Sequence, residues 1–246
     1  MRIALCQIPV SSDAGVNLGR VRDALGAAAA GGADLAVFPE ATLVRFGSDL
    51  RAAAEPLDGP FCSAVAFSAE GERVASYRKL HLFDAFSQHE SDLVAPGSEV
   101  VLAPLAGTTV GMQICYDIRF PELTRTLATG GASLVTVSAA WQAGTFKEEH
   151  WVTLLRARAI ENTVWIAAAG QVPDLAEKPT RAPTGIGRSL LIDPLGVVRA
   201  DLGPSAGVTV AEADLSLVDS VRETLPSLAN RREDVFGPSG VSRAGV

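Results

Sequence analysis

Apolar and polar residues alternate over residues 2–7, and Val21, Leu25 and Ala28 then recur at helical spacing until Gly31 and Gly32 stop the run. This predicts a strand, a helix over 17–30 and a turn. The run at 34–38 reads as a strand covered on both faces, closed by Pro39 with Glu40 at its carboxyl end. Residues 41–61 are mixed, and Pro56, Asp58, Gly59 and Pro60 mark a loop. Two short strands, 63–67 and 73–77, flank Ala69, Glu70 and Gly71 and predict a hairpin, with Lys79 just beyond it. A further alternating stretch at 110–114 runs into Cys115, and Pro121 with Glu122 opens the next helix. Strands at 134–137, 164–169, 190–192, 197–200 and 207–213 follow, with an amphipathic helix over 150–162. Two rounds of strand and helix around buried strands, with hairpins between them, predict an α/β sandwich.

Composition narrows the class. Hydrophobic residues at 48% and charged residues at 20% describe an ordinary core builder, and 246 residues suffice for one large domain. A net charge of −7 with no basic run argues against a nucleic-acid partner. The first residues read as a strand rather than a signal peptide, and no apolar run is long enough to span a bilayer, so a cytoplasmic location is expected. Three widely spaced cysteines, Cys6, Cys62 and Cys115, predict free thiols rather than a disulfide framework. His81, His89 and His150 share no metal-ligand spacing, and the glycine pairs lack the context of a phosphate loop, so neither a metal nor another cofactor is expected.

The candidate chemistry lies at strand ends. Cys115 falls in a strand-to-helix bend, where a thiol is lifted into a crevice, nearby N–H groups are free for an oxyanion, and thiolate is favoured. Read alone it is a nucleophile or a small buried hydrophobe. Glu40 is a carboxylate at the rim where α/β sheets gather ligands, or a helix cap. Lys79 either snorkels from a strand end or, beside carboxylates in a dry crevice, stabilises charge and carries protons. Glu90, in the loop over 85–97, reads by default as a surface acid. Arg156 and Arg158 read as structural residues of their helix.

Glu40, Lys79 and Cys115 stand in Val-Phe-Pro-Glu at 37–40, Tyr-Arg-Lys-Leu-His-Leu-Phe-Asp at 77–84 and Ile-Cys-Tyr-Asp-Ile-Arg-Phe-Pro-Glu at 114–122. In order and setting these stretches resemble the nitrilase, or carbon–nitrogen hydrolase, superfamily. The similarity continues through Arg-Ala-Arg-Ala-Ile-Glu-Asn at 156–162, Gly187-Arg-Ser189, Asp193-Pro194, Val221-Arg222 and Arg231-Arg232. The resemblance implies an α-β-β-α sandwich, a single carbon–nitrogen hydrolase domain over 1–246 with 217–246 as a docking tail, and a Glu-Lys-Cys triad. By motif, Cys115 is the nucleophile, Glu40 the general base, Lys79 the stabiliser of the tetrahedral intermediate with the Tyr116 N–H as second oxyanion donor, and Glu90 a second acid that positions substrate. The 79–84 and 116–121 stretches are similar to the branch of omega-amidases and deaminated-glutathione amidases, which cleave small carboxylate-bearing amides and release ammonia. Arg119 then receives a substrate carboxylate, or else pairs with Asp117 or Glu122. Hydrolysis of an N-carbamoyl compound is the alternative within the fold, and a catalytically silent binding protein the alternative outside it. The resemblance further implies a homodimer or higher homo-oligomer, with the arginine-bearing tail as a strap.

One departure stands out. Members of the superfamily carry a helix and a strand between the Leu-Asp-Gly-Pro-Phe stretch and the hairpin, whereas Phe61 here runs almost directly into residue 63. On the order of 35 residues are missing by usual element lengths. Either this is a deletion, with a short first sheet, an exposed edge and reduced stability expected, or the full protein carries a segment that this sequence omits.

Overall fold

The computed structural model describes residues 1–53, 61–232 and 234–235. The loop markers Pro56, Asp58, Gly59 and Pro60, and the tail beyond 235, lie outside the described residues. Strand β1 (Arg2–Gln7) leads to helix α1 (Ala14–Ala30) and strand β2 (Leu35–Val37). The helix starts three residues earlier than its apolar spacing suggests because Asp13 caps it, its carboxylate accepting from the Gly15 and Val16 N–H groups at 2.7 and 3.1 Å. A single turn, α2 (Leu50–Ala53), precedes the hairpin of β3 (Ser63–Phe67) and β4 (Arg73–Arg78).

The second half adds β5 (Leu102–Leu105), β6 (Thr108–Ile114), α3 (Pro121–Thr129), β7 (Leu134–Ala139), α4 (Lys147–Asn162) and β8 (Trp165–Gly170). It closes with β9 (Leu190–Ile192), β10 (Val198–Asp201), β11 (Gly207–Glu212) and α5 (Ser216–Thr224). Strand β5 carries Pro104, which masks it in the sequence and which an edge strand tolerates.

The strands form a six-stranded sheet ordered β10-β9-β8-β7-β6-β5, a three-stranded sheet ordered β11-β1-β2, and the separate β3-β4 hairpin. Alternation along each strand decides the layers. Ile3 and Leu5 of β1 face Val110, Leu134, Trp165 and Ala167 across the two sheets, while Ala4 and Cys6 point outward under Ala24 and Ala28 of α1. On the far side, Val135 and Val137 pack beneath Leu127 of α3 and Trp151 and Leu155 of α4. Gly111 lets α3 close on β6, since a Cβ there would stand 3.0 Å from Leu127. The result is an α-β-β-α sandwich, with about 1.5–3 kcal/mol of hydrophobic stabilisation from each large apolar side chain fully buried.

The short first half is visible in the sheet order. Among the described residues β2 pairs with β1 alone, and β3 pairs with β4 alone. The outer edge of β2 and that of β3 are therefore each without a strand partner among the described residues. The tail docks on its own chain: Val218 and Val221 are buried, Leu228 packs on the helix-side core, and Arg222 donates to Thr163 Oγ1 at 3.1 Å and to the Ala132 carbonyl at 3.3 Å. Arg156 donates to the Gly196 carbonyl and Arg158 to the Ile118 carbonyl, so both tie α4 to its neighbours. Among the described residues no helix is long and apolar enough to cross a membrane.

Candidate active site

The elements that matter end on one rim. Glu40 follows β2, Lys79 follows β4, Cys115 follows β6, and Glu90 opens a one-turn 3-10 helix, Glu90–Asp92, in the connection to β5. The hairpin sets Lys79 beside Cys62, whose carbonyl accepts the Lys79 N–H at 2.9 Å. Between β6 and α3 the chain makes a second one-turn 3-10 helix, Cys115–Arg119, so the bend is tighter than a direct strand-to-helix passage. Cys115 takes a φ of +46°, in the left-handed region that L side chains rarely adopt.

A buried aspartate holds that turn. Asp117 is fully buried and accepts from the Ile114 N–H at 2.9 Å, the Tyr77 hydroxyl at 2.6 Å and the His81 N–H at 3.0 Å, with His81 Nδ1 at 2.8 Å. His81 in turn stacks on Phe120 at 3.7 Å between ring centroids. Asp117 thus fastens the hairpin to the turn bearing Cys115, and it is not the partner of Arg119. Arg119 lies over the Trp141 ring at 4.8 Å and approaches His150 Nδ1 at 3.4 Å.

Lys79 is the hub of the charges. Its Nζ lies 2.8 Å from Glu40 Oε1 and 2.8 Å from Glu90 Oε2, all three side chains being buried. Glu40 Oε2 accepts the Ala140 N–H from the end of β7 at 2.9 Å, and Glu90 Oε2 accepts the Phe83 N–H at 2.7 Å. Two thiols lie near the same base. Cys62 Sγ donates to Glu40 Oε1 at 3.8 Å, and Cys115 lines the same cavity as Glu40, whose charge acts on its thiol. Ligand atoms of Glu40, Cys62 and Glu90 lie within 4.8 Å of one another, yet the Lys79 ammonium stands between the two carboxylates, where a cation would be held.

Burial opposes the charge on Lys79, but the Glu40 and Glu90 carboxylates outweigh it and hold its pKa well above the ordinary lysine value. Glu90 is pushed up by burial first, against the pull of Lys79. The Cys115 thiol is pushed well up by burial and then by Glu40, although Lys79 works the other way. This corrects the expectation of a thiolate: the strand-end setting is outweighed by burial and by the charge of a nearby carboxylate. Cys62 is raised for the same reasons.

All six residues singled out in the sequence, Glu40, Lys79, Glu90, Cys115, Tyr116 and Arg119, line one cavity of about 200 Å³. Glu90 is a buried member of that wall, in place of the surface acid its composition suggests. Tyr116 is the second residue of its short helix, whose first-turn N–H groups lack intrahelical partners, and its ring packs edge-on against Phe83 and Phe120. Cys62, Asp117, Trp141 and Lys147 join the site without a role assigned to them from sequence. Only Asp117 carried a usable signal, as an acid fixed within the Cys115 motif.

Comparison with known proteins identifies the family. The carbon–nitrogen hydrolase family model matches residues 2–62 and 58–223, in two stretches that meet at the short junction before the hairpin. The chain is 40% identical over 272 positions to "Hydrolase MT0498" of Mycobacterium tuberculosis, covering 96% of this chain and 97% of that protein. That alignment is longer than the 246 residues of this chain, so the relative carries positions this chain lacks. A deaminated glutathione amidase of Escherichia coli O157:H7 is 43% identical over 169 residues, which is 68% of this chain and 61% of that one. The crystal structure of Saccharomyces cerevisiae Nit3, described as a member of branch 10 of the nitrilase superfamily, superposes with a TM-score of 0.81 at 25% identity, covering 92% of this chain and 94% of that one.

Proposed function

The chain belongs to the carbon–nitrogen hydrolase family and is an amidase-type hydrolase of the nitrilase superfamily, and from that premise we propose that it cleaves a small carboxylate-bearing amide through an acyl-enzyme on Cys115 and releases ammonia. The observation that carries the proposal is a thiol, a carboxylate and an ammonium lining one cavity: Cys115 with Glu40 and Lys79, the last two paired at 2.8 Å.

The resting thiol keeps its proton, because burial and Glu40 both raise its pKa. Cys115 Sγ then attacks the amide carbonyl while Glu40 takes the proton, so no free thiolate needs to accumulate. The carbonyl oxygen becomes an oxyanion facing the Lys79 ammonium and the Tyr116 N–H, donors already oriented before charge develops. Glu40 returns the proton to the nitrogen, the C–N bond breaks and ammonia leaves. Water, deprotonated by Glu40, attacks the thioester, and the carboxylic acid departs as the thiol is restored. Glu90 holds Lys79 from the far side, and Arg119 receives the substrate carboxylate. The homologue named deaminated glutathione amidase supports this substrate class.

The same reading takes residues 1–246 as one catalytic domain that works in the cytoplasm as a homodimer or higher homo-oligomer, a state that light scattering measures. The function is tested by assaying ammonia release from carboxylate-bearing amides with the wild type, C115A and C115S, and by mass spectrometry of the trapped adduct. Turnover that survives in C115A, or an acyl adduct on Cys6 or Cys62 in place of Cys115, overturns the proposal.

A further inference from the structure

Lys147 opens α4, yet nothing about that position suits a structural cation. It stands at the positive end of the helix dipole, which disfavours it. It is only 6% exposed, and among the described residues no carboxylate pairs with it, since the neighbouring Glu148 is engaged by Arg188. Its company is aromatic: Nζ lies 3.5 Å from the Phe86 ring centroid, 5.4 Å from that of Phe83 and 5.9 Å from that of Trp141. Cation–π contacts offset part of the lost hydration, but a buried ammonium still has hydrogen-bond donors to satisfy.

That ammonium lines the cavity that ends at Cys115, on the same wall as Arg119. Arg119 also has no carboxylate partner among the described residues, and its guanidinium lies over the other contact of Lys147, the Trp141 ring. Two cations without a carboxylate partner among the described residues therefore flank one aromatic ring in the cavity that holds the reacting thiol. Burial and the proximity of Arg119 both pull the Lys147 pKa down, the cost of holding two like charges in a dry wall. An anionic ligand removes that cost.

We infer that Lys147 is a specificity-determining residue whose ammonium, with Arg119, binds the carboxylate of the substrate and selects monoamides of small dicarboxylic acids over neutral amides. The inference deepens the amidase reading and rests on it for its kinetic arm. The carboxylate is desolvated between two cations and ringed by Phe86, Phe83 and Trp141, so its hydrogen bonds are charge-assisted and shielded from water.

The experiment compares the monoamide of succinic acid with butyramide, which has the same chain length and no charge. In K147M the ratio of kcat/KM for the two falls roughly 10- to 100-fold, chiefly through KM of the succinic monoamide, as expected for one lost hydrogen bond between charged groups. In K147R, which keeps the charge, most of the ratio is retained. K147Q replaces K147M if the methionine variant does not fold. An unchanged ratio, or an equal fall for both amides carried by kcat, overturns the inference. If the wild type hydrolyses neither amide, the amidase reading fails by itself, and calorimetric titration with succinate decides on Lys147. Weaker binding to K147M than to wild type supports it, while equal binding, or none to the wild type, overturns it.

Discussion

The Tyr77 hydroxyl donates to Asp117 Oδ2 at 2.6 Å, between two side chains that are both fully buried. Through this contact the end of the β3-β4 hairpin and the turn that carries Cys115 become one unit, and Tyr77 further accepts the Leu80 N–H at 3.2 Å. Asp117→Ala strips the acceptor from several buried donors at once and is expected to cost about 3–5 kcal/mol. Tyr77→Phe removes one donor and is expected to cost about 1–2 kcal/mol. Urea unfolding measures both, and the amide assay should fall with them because the left-handed Cys115 backbone loses its anchor. A loss under about 0.5 kcal/mol for Asp117→Ala, within the range of ordinary surface substitutions, would show that the network does not hold the turn.

Cys6 supplies a separate prediction about alkaline stability. It lies on the outer face of β1 beneath α1, and burial pushes its pKa up to about 12 from 9.0. Below pH 9 the thiol is neutral in both states and the folded state keeps its full stability. As pH rises through the window from 9 to about 12, the unfolded chain ionises Cys6 and the folded chain cannot, so stability is lost at up to about 1.4 kcal/mol per pH unit. The stability difference between wild type and Cys6→Ala should therefore shift in favour of the variant between pH 8 and pH 10.5. A difference independent of pH would contradict the burial of this thiol.

The unpaired edges predict uneven protection. Strand β1 is hydrogen-bonded on both sides, by β11 and by β2, whereas β2 among the described residues has β1 alone. Hydrogen exchange followed by mass spectrometry should give Leu35–Val37 much lower protection than Arg2–Gln7, and β3 lower protection than β7. Equal protection of β1 and β2 would mean that another backbone covers the edge. An intact mass above 25.6 kDa would place the missing helix and strand in the protein itself.

How far this site could be read from sequence depends on where each group gets its chemistry. Glu40, Lys79 and Cys115 were legible because each stands directly after a strand, where strand pattern and motif coincide. Glu90 was legible only through the resemblance, because its burial comes from Lys79 and the Phe83 N–H rather than from its own apolar context. The layers of the sandwich were legible in the alternation of strands such as β1. Strand β5 was not, since Pro104 on an edge breaks the expected pattern. The start of α4 was read three residues late, at His150, because Phe146 enters the helix from a left-handed φ of +57°. Lys147 therefore falls outside the helix that the spacing predicts. Its burial is made by Phe83 and Phe86, residues remote in sequence that no local window couples to it.

The two acids around Lys79 should respond differently when neutralised. Glu40 pairs with the ammonium and shares the cavity wall with the Cys115 thiol, while Glu90 binds the ammonium and the Phe83 N–H. Glu40→Gln removes the proton acceptor and is expected to reduce amide turnover by roughly 10³-fold or more, as for groups that act as one unit. Glu90→Gln leaves that acceptor in place and is expected to cost roughly 10- to 100-fold, through a less firmly held Lys79. Thiol reactivity should move the opposite way. After burial, Glu40 is the main cause of the high Cys115 pKa and Glu90 a lesser one, while Lys79 lowers it. Neutralising either acid lets the Lys79 ammonium draw the thiol toward thiolate, more so in Glu40→Gln. At pH 7.5 the rate of Cys115 alkylation by iodoacetamide should therefore rise in both variants, with Glu40→Gln the faster, even as hydrolysis collapses. Parallel losses of alkylation and turnover would instead show that the two acids do not hold the Cys115 thiol protonated.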